Sequence, residues 1–184
     1  MREVKLYGDK AAGRVALVDD QDYELVSARR WYLYERYREE GKRIHGPYAN
    51  RTVHSNGRSR TFGMHVVIMG RPYIDHVNHN GLDNRRVNLR PASGSQNQHN
   101  TRPYIGTSSQ YKGVYWKKSS RRWVAQIAID CRRMHLGSFS DEIAAACAYD
   151  DAALTAWGEF AYLNFPLDIP AGAVLLEPRE DSAA

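Results

Sequence analysis

The sequence predicts an α+β protein made of two small modules, and three observations support this prediction. Short β-rich segments alternate with turns through the N-terminal half, which is typical of sheets with short connections. One long helix is predicted over Asp141–Trp157, with Ser140 as its N-cap. Between these regions, residues 102–109 combine Pro, Gly and Ser as linkers do, so we place a domain boundary there.

The N-terminal module is predicted to be a sheet followed by a strand, strand and helix unit. Asn56-Gly57 supplies the two positive φ angles of a tight turn, so the segments on either side of it should pair as a hairpin. Asp19-Asp20 indicates the start of a short helix that runs through Ser27. The other predicted strands and helices are Val4–Tyr7, Arg14–Val18, Tyr48–His54, Ser59–Phe62, Met64–Met69 (helix), Tyr73–Val77, Leu89–Ser93 and Ser95–Thr101 (helix).

The C-terminal module is predicted to contain three strands, Gly113–Lys117, Arg122–Ile129 and Arg132–Leu136, that precede the long helix. We expect that helix to bury the face that carries Ile143 and Cys147. The predicted domains are therefore 1–104, with a β-rich part at 1–63 and a core at about 64–102, then a linker at 105–110, a second domain at 111–166 and an unstructured acidic tail at 167–184.

Charge is unevenly distributed along the chain. Its 184 residues carry 26 Lys and Arg against 21 Asp and Glu, a net charge of +5. Within residues 105–165 all seven bases precede residue 134, whereas five of the six acids follow it. One small module therefore has a basic half and an acidic half, which favours a polyanionic partner for the basic half.

Several protein classes are excluded by composition. The longest apolar runs are far shorter than the roughly 20 residues of a membrane span, and the N-terminus lacks a signal peptide's apolar stretch, so we expect a cytoplasmic protein without a membrane partner. Cys131 and Cys147 are too few for a disulfide framework and form no CxxC pair. A metal ion would have to be bound by oxygen or imidazole ligands.

Chemistry is concentrated between residues 75 and 97. Asp75-His76 ends a predicted strand and places an imidazole beside a carboxylate, and Asn97 follows on a predicted helix. Phosphodiester cleavage needs a base with a pKa near neutrality and a divalent cation, and an amide oxygen is a suitable second ligand for Mg²⁺. An isolated Asp-His pair is usually an ordinary surface feature, so the argument depends on the complete spacing.

Residues 64–102 resemble the HNH endonuclease family, and in particular its zinc-free phage and intron-homing branch. The resemblance is carried by Met64-His65, Asp75-His76-Val77-Asn78, Asn80-Gly81-Leu82-Asp83-Asn84-Arg85-Arg86, Asn88-Leu89-Arg90 and Ser95-Gln96-Asn97. It implies a ββα-metal fold in which His76 is the general base, Asp75 and Asn97 bind one Mg²⁺ (or Mn²⁺) ion, and Asn88 ties the loop to the hairpin. It also implies a phage or prophage origin and action in a bacterial host.

Other residues near this motif have alternative roles. Arg85, Arg86 and Arg90 are expected to contact DNA phosphate rather than to be ordinary surface charges. His65 is as well suited to packing at the hairpin and helix junction as to touching the site. His79 is interpreted as a solvated loop residue in preference to a phosphate contact.

Residues 109–166 resemble the Apetala-two (ethylene-response-factor) DNA-binding domain. The matching segments are Tyr111-Lys112-Gly113-Val114-Tyr115-Trp116, Trp123-Val124-Ala125-Gln126-Ile127, Leu136-Gly137-Ser138-Phe139, Ala144-Ala145-Ala146, Ala148-Tyr149-Asp150 and Leu163-Asn164-Phe165. The resemblance implies a three-stranded antiparallel sheet packed on one helix, with the exposed sheet face in the major groove of double-stranded DNA. By position, the contact residues would be Lys112, Tyr115, Lys117, Arg122, Gln126, Arg133 and His135.

These inferences together predict a metal-dependent DNA endonuclease with a C-terminal docking module. One site per chain predicts a nick, and a monomer is favoured. Two alternatives remain, a DNA-binding regulator with an inactive nuclease half and an RNA-directed nuclease. The duplex-reading resemblance of the second module argues against RNA, because sequence-specific RNA modules usually display stacking aromatics.

Overall fold

The computed structural model describes residues 1–37, 43–103 and 106–166 as a mixed α/β fold. The predicted acidic tail, 167–184, lies outside the described residues. The strands are β1 (Arg2–Tyr7), β2 (Val15–Val18), β3 (Trp31–Tyr37), β4 (Arg43–Ser55), β5 (Arg58–Gly63), β6 (Ile74–His76), β7 (Leu89–Pro91), β8 (Val114–Lys117), β9 (Arg122–Ile129) and β10 (Arg132–Phe139). The α-helices are α1 (Asp20–Ser27), α2 (Met64–Met69), α3 (Gly94–His99) and α4 (Glu142–Trp157), and short 3-10 helices span Asp9–Ala11, Arg86–Asn88 and Gly158–Phe160.

A five-stranded sheet in the order β2-β1-β3-β4-β5 forms the N-terminal part. Its pairs are antiparallel except β1 with β3, which are parallel and align Leu6 with Trp31. The predicted hairpin is confirmed, because Asn56 and Gly57 have φ angles of 50° and 69° and join β4 to β5. Trp31 is fully buried at the centre of the core under this sheet, and its Nε1 donates to the Val26 carbonyl at 2.9 Å.

The N-terminal sheet also supports the loop that follows β6. The Leu17 amide in β2 donates to the Leu82 carbonyl at 2.8 Å, and the Asn84 amide donates to the Leu17 carbonyl at 2.8 Å. Backbone pairing of this kind fixes the loop against a strand that is itself part of a sheet. The β-rich N-terminal part is therefore a scaffold for the 75–90 region.

Strands β6 and β7 form a two-stranded antiparallel sheet, and α3 follows directly. The order of strand, strand and helix agrees with the sequence prediction, although both strands are shorter than predicted. Helix α3 begins in a capping box, because the Ser93 hydroxyl accepts from the Gln96 amide while the Gln96 side chain accepts from the Ser93 amide.

The C-terminal part is a three-stranded antiparallel sheet in the order β10-β9-β8, packed against α4. The predicted N-cap, Ser140, is wrong by one residue: the Asp141 carboxylate accepts from the Ala144 amide at 2.8 Å. The predicted buried face of α4 is also wrong. Ile143 is 52% exposed and Cys147 is exposed, whereas Tyr149 is buried.

The reason for this error is the alanine content of α4, which gives a weak apolar periodicity. Ala145, Ala146 and Ala153 are buried together with Tyr149, the one large side chain on that face. The Tyr149 ring lies so close to Gly113 that a Cβ atom there would overlap it, and Gly113 has a φ of 78°. A single aromatic contact therefore determines how the helix is rotated.

Most of the predicted linker packs on the C-terminal part. Ser109 is buried, and its hydroxyl donates to Glu142 Oε1 at 2.7 Å. The Trp116 amide donates to the Ser108 hydroxyl at 2.9 Å. Residues 106–110 thus belong structurally to the second module, while 104–105 lie outside the described residues. Among the helices of the described ranges, none is long and apolar enough to cross a membrane.

Candidate functional site

Asp75 and His76 lie next to each other on β6, the first strand of the two-stranded sheet. The register aligns Asp75 with Arg90 and His76 with Leu89 on β7. Both side chains are almost completely enclosed, with exposures of 5% and 6%. Successive side chains of a strand point to opposite faces, so the carboxylate and the imidazole have different neighbours, and each has little freedom to change orientation because it is enclosed.

The Asp75 carboxylate is bound on one of its two oxygens. Arg90 donates to Oδ2 from Nε at 3.0 Å and from Nη2 at 2.7 Å, and Asn100 Nδ2 donates to the same oxygen at 2.8 Å. In the part of the chain that is described, these hydrogen bonds all end on Oδ2. Oδ1 therefore keeps its lone pairs for another ligand, and a hard cation is a suitable one.

The structure brings Asn100, rather than the predicted ligand Asn97, to Asp75. Asn100 is buried and also donates to the His76 carbonyl at 3.3 Å, whereas Asn97 is exposed on α3. The two residues are three positions apart and so lie on the same side of the chain at the end of this helix. The spacing Asn97-x-x-Asn100 was the sequence signal that could have identified Asn100.

His76 is surrounded by two further rings and an amide. Its ring lies edge-on to His65, with centroids 4.9 Å apart, and 5.8 Å from Tyr48. Nε2 is 3.5 Å from Asn84 Oδ1, at the long limit of a hydrogen bond. Burial lowers the pKa of His76, so the ring is neutral at neutral pH.

His65 packs against His76 and thereby extends this enclosed site. Burial and, second, repulsion from His76 lower the pKa of His65 to about 4, so both rings are neutral at neutral pH. Its Nδ1 is buried and has no hydrogen-bond partner among the described residues. Tyr48, which touches both rings, lies so close to Gly81 that a Cβ atom on Gly81 would overlap the tyrosine.

Asn88 crosslinks the loop between β6 and β7. Its Nδ2 donates to the Asp83 carbonyl at 2.7 Å, and its Oδ1 accepts from the Asn78 amide at 2.8 Å. Both contacts are within the segment that carries Asp75 and His76. A buried amide that uses its donor and its acceptor in this way fixes the loop conformation.

Arg85 and Arg86, predicted to contact phosphate, have carboxylate partners instead. Arg85 binds Asp83 through Nε at 2.7 Å and Nη2 at 2.6 Å, and this pairing lowers the pKa of Asp83. Arg86 binds Asp22 on α1 through Nε at 2.8 Å and Nη2 at 2.7 Å. These bidentate pairs hold the loop in place, and phosphate contact through the remaining donors of both arginines stays a prediction.

Arg90, the third predicted phosphate contact, is the least accessible of the three. Its side chain is only 13% exposed because it is enclosed between Asp75 and the C-terminal module. Nη1 donates to the Glu159 carbonyl at 2.5 Å, and the guanidinium lies 4.2 Å from the centre of the Phe160 ring. The contacts that the structure shows for Arg90 are internal, and its contact with phosphate stays a prediction.

Six of the seven predicted DNA contacts of the C-terminal module share one face of its sheet. Cross-strand register pairs Lys117 with Arg122 and Gln126 with His135. The alternation along β8 to β10 puts Tyr115 and Arg133 on the same side. The opposite side, which carries Val114, Ala125 and Ile127, packs on α4. The structure therefore presents Tyr115, Lys117, Arg122, Gln126, Arg133 and His135 together, and we call this set the sheet face.

Lys112, the seventh predicted DNA contact, points to the other module. Its Nζ donates to the His99 and Thr101 carbonyls at 2.6 and 2.8 Å, and burial lowers its pKa to about 8. His99 in turn stacks on Trp157, with centroids 4.1 Å apart and planes 10° apart. His79, expected to be solvated, is half-buried with its ring 5.2 Å from Tyr162. The two modules are thus in direct contact beside the Asp75 site.

A metal ion at this site would need few protein ligands. The described residues contain no cluster of three or more His, Cys, Asp and Glu side chains that could hold a cation. The residues present fit a hard cation such as Mg²⁺, which keeps several water or phosphate ligands. The hydrogen bonds described for the Asp75 side chain end on Oδ2, which leaves Oδ1 for a cation. The exposed amide of Asn97 lies on α3, the helix that ends next to Asn100.

Comparisons with known proteins find relatives of two kinds. An uncharacterized HNH endonuclease of Acanthamoeba polyphaga mimivirus is 29% identical over 159 residues, which cover 84% of this chain and 77% of that protein. An AP2/ERF and B3 domain-containing protein of Oryza sativa subsp. japonica is 45% identical over 80 residues, 44% of this chain and 19% of that protein. An ethylene-responsive transcription factor of Arabidopsis thaliana is 44% identical over 63 residues, 33% of this chain and 34% of that protein.

The chain spans about a third or less of the length of these two plant relatives. No family model matches the chain, and no solved structure matches it. The chain is therefore similar over most of its length to a viral protein named as an HNH endonuclease, and over a shorter stretch to plant proteins named for the AP2/ERF domain or as transcription factors.

Proposed function

We propose that this protein is a metal-dependent DNA endonuclease of the HNH type. The observation that supports the proposal most strongly is that Asp75 and His76 are adjacent on β6 and that, among the described residues, the side-chain hydrogen bonds to the Asp75 carboxylate all end on Oδ2. Asn100 holds the Asp75 carboxylate and the His76 carbonyl, and Asn88 crosslinks the loop that follows His76. The similarity to a viral protein named as an HNH endonuclease supports the same activity.

His76 is proposed to act as the general base. Its ring is buried next to Asn84 and His65, and its lowered pKa keeps one ring nitrogen unprotonated at neutral pH, so that nitrogen would accept the proton of the attacking water. Asp75 and Asn97 would hold one Mg²⁺ or Mn²⁺ ion, which, when bound, would stabilise the charge that develops on the leaving oxygen. Arg90 and Asn100 would keep the Asp75 carboxylate oriented toward that ion.

The sheet face is proposed to dock the enzyme on double-stranded DNA. Three of its residues, Lys117, Arg122 and Arg133, are exposed cations. Gln126 and His135 lie directly opposite each other and supply groups that can hydrogen-bond to base edges. The sheet belongs to the module whose 3-10 helix touches Arg90, so the proposed docking module and the Asp75 site are in direct contact.

The first test of this function is conversion of supercoiled plasmid in the presence of Mg²⁺ or Mn²⁺, with and without EDTA. One His76 per chain and a monomeric enzyme predict the nicked circle as the main product. EDTA is expected to abolish the conversion. A nicking activity that is equal with and without EDTA would contradict metal dependence.

The alternative function is a DNA-binding regulator whose nuclease half is inactive. The specific observation that favours it is the similarity to plant proteins, one of which is named as a transcription factor. The plasmid assay separates the two functions, because a regulator binds duplex DNA but leaves the plasmid supercoiled with every divalent metal. We further propose that the protein is phage-encoded and acts in the cytoplasm of a bacterial host; the relative from a virus supports only the viral origin.

A further inference from the structure

Arg90 connects the proposed metal ligand to the other module. One edge of its guanidinium, Nε and Nη2, binds Asp75 Oδ2 at 3.0 and 2.7 Å. The remaining nitrogen, Nη1, binds the backbone carbonyl of Glu159 at 2.5 Å. Glu159 and Phe160 belong to the 3-10 helix that follows α4, so one side chain spans from β7 to the C-terminal module.

Phe160 packs against the flat face of the Arg90 guanidinium. Its ring lies 4.2 Å below the guanidinium carbon, within the range of a cation–π interaction. An arginine side chain has several rotatable bonds and about 2 kcal/mol of rotamer entropy, so it holds a partner in place only when it is itself fixed. The Glu159 carbonyl and the Phe160 ring provide that fixation, and both come from the second module.

The module contact nearby keeps the 3-10 helix in position. The His99 ring on α3 stacks on Trp157 at the end of α4, and the Tyr162 amide donates to the His99 carbonyl at 3.3 Å. These contacts flank Glu159 and Phe160 on both sides along the chain. The position of Arg90, and with it the orientation of Asp75, therefore depends on how the second module is seated.

We propose that Arg90 is a positioning residue through which the C-terminal module orients the Asp75 carboxylate, so that divalent-cation affinity and turnover both depend on the Phe160–Arg90 contact. The proposal rests on the proposed function in taking Asp75 as a cation ligand. It assigns the C-terminal module a second role, because the module that docks on DNA also completes the site.

The test measures the affinity of the full chain for Mn²⁺ by electron paramagnetic resonance. The Asp75→Asn variant gives the affinity that remains when the proposed ligand is lost. Phe160→Ala is expected to weaken Mn²⁺ binding about tenfold, the scale on which residues that orient metal ligands act. Single-turnover nicking should fall by a similar factor while affinity for a labelled duplex stays the same. The matched control is Phe165→Ala, since that ring contacts Tyr111, 5.2 Å away, inside the module.

Phe165→Ala is expected to leave Mn²⁺ binding unchanged. A folded Phe160→Ala protein with wild-type Mn²⁺ affinity would overturn the proposal, and so would equal losses in both variants, which would indicate general destabilisation. Should Phe160→Ala fail to fold, Phe160→Leu keeps the apolar volume but removes the aromatic face, and the same outcomes apply to it.

The failure of this proposal and of the nuclease function can be told apart. A wild-type protein that binds Mn²⁺ through Asp75 but does not nick plasmid contradicts the nuclease function only, and the Phe160 variants still decide the role of Arg90. A wild-type protein that nicks plasmid with unchanged Mn²⁺ affinity in Phe160→Ala contradicts the role of Arg90 only. Absence of Asp75-dependent Mn²⁺ binding overturns the present proposal.

Discussion

Asn88 holds the loop between β6 and β7 with a single buried amide. Replacing it by Ala leaves the Asp83 carbonyl and the Asn78 amide without their partner. We expect Asn88→Ala to lower the free energy of unfolding by about 1–3 kcal/mol, the cost of unsatisfied buried polar groups. Urea denaturation measures this difference.

Asn97→Ala is the matched comparison, because it makes the same change at an exposed position. Its free energy of unfolding should stay within about 0.5 kcal/mol of wild type, as is usual at surface positions. Equal destabilisation by the two substitutions would contradict the structural role of Asn88.

At the same scale, residues of the candidate site were easier to propose from the sequence than their contacts. Asp75 and His76 were proposed because they are adjacent and because the residues around them resemble a known motif. The ion pair of Arg86 was not foreseen, because its partner, Asp22, is 64 residues away in the sequence. Asn100 was missed for a similar reason, since its bond to Asp75 spans 25 residues and appears only when α3 packs on β6.

The exposed cations on the three-stranded sheet allow a direct prediction about DNA binding. Arg122→Ala and Arg133→Ala each remove an exposed cation from the sheet face. If these side chains contact phosphate, each substitution should weaken duplex binding and reduce the slope of log K against log salt concentration by about 1. Binding titrations at several salt concentrations measure both effects.

The control for this experiment is Lys10→Ala, which lowers the net charge by the same amount at an exposed position of the N-terminal part. Its slope should equal that of the wild type. A sheet-face variant that behaves like Lys10→Ala would show that the face does not carry phosphate contacts.

Helices and strands were predicted correctly from the sequence where the interactions that determine them lie close together in the chain. The Asn56-Gly57 hairpin was predicted correctly because the turn residues alone fix the φ angles. The buried face of α4 was not, because its rotation is determined by Tyr149 packing over Gly113 in a different element. Alanine on every side of the helix left no periodic signal that could replace this contact.

For the whole molecule, the contact between the modules makes stability depend on pH through Lys112. Burial lowers the pKa of this amine from 10.5 to about 8, so between these values the unfolded chain binds more protons than the folded one. The free energy of unfolding should therefore rise between pH 8 and 9.5, by about 1 kcal/mol once solvent screening is allowed for. Below pH 8 this contribution is constant.

Comparison with Lys112→Met isolates this effect from the other titrating groups, such as Tyr149, whose pKa is raised by burial. Urea denaturation at pH 8 and pH 9.5 should show the rise in the wild type and a smaller or absent rise in the variant. Identical pH dependence in the two proteins would contradict a buried Lys112 at the module contact.

The two-module layout was predicted from the charge pattern and the Pro, Gly and Ser segment, but the contact between the modules was not. His99 and Trp157 are 58 positions apart and carry no local signal that they stack. The same limit explains why Lys112 was assigned to DNA, because a lysine at the edge of a basic segment gives no indication that it binds carbonyls of another module.

The proposed role of His76 as the base in metal-dependent DNA cleavage is tested by the substitution His76→Ala. Single-turnover nicking of a plasmid with Mg²⁺ and binding of a labelled duplex are measured for wild type, His76→Ala and the control His54→Ala, whose surface histidine contacts Ser59. The account predicts that His76→Ala loses about 10²–10⁴-fold in cleavage rate with unchanged DNA affinity, while His54→Ala matches wild type. Nicking by His76→Ala at the wild-type rate would contradict it.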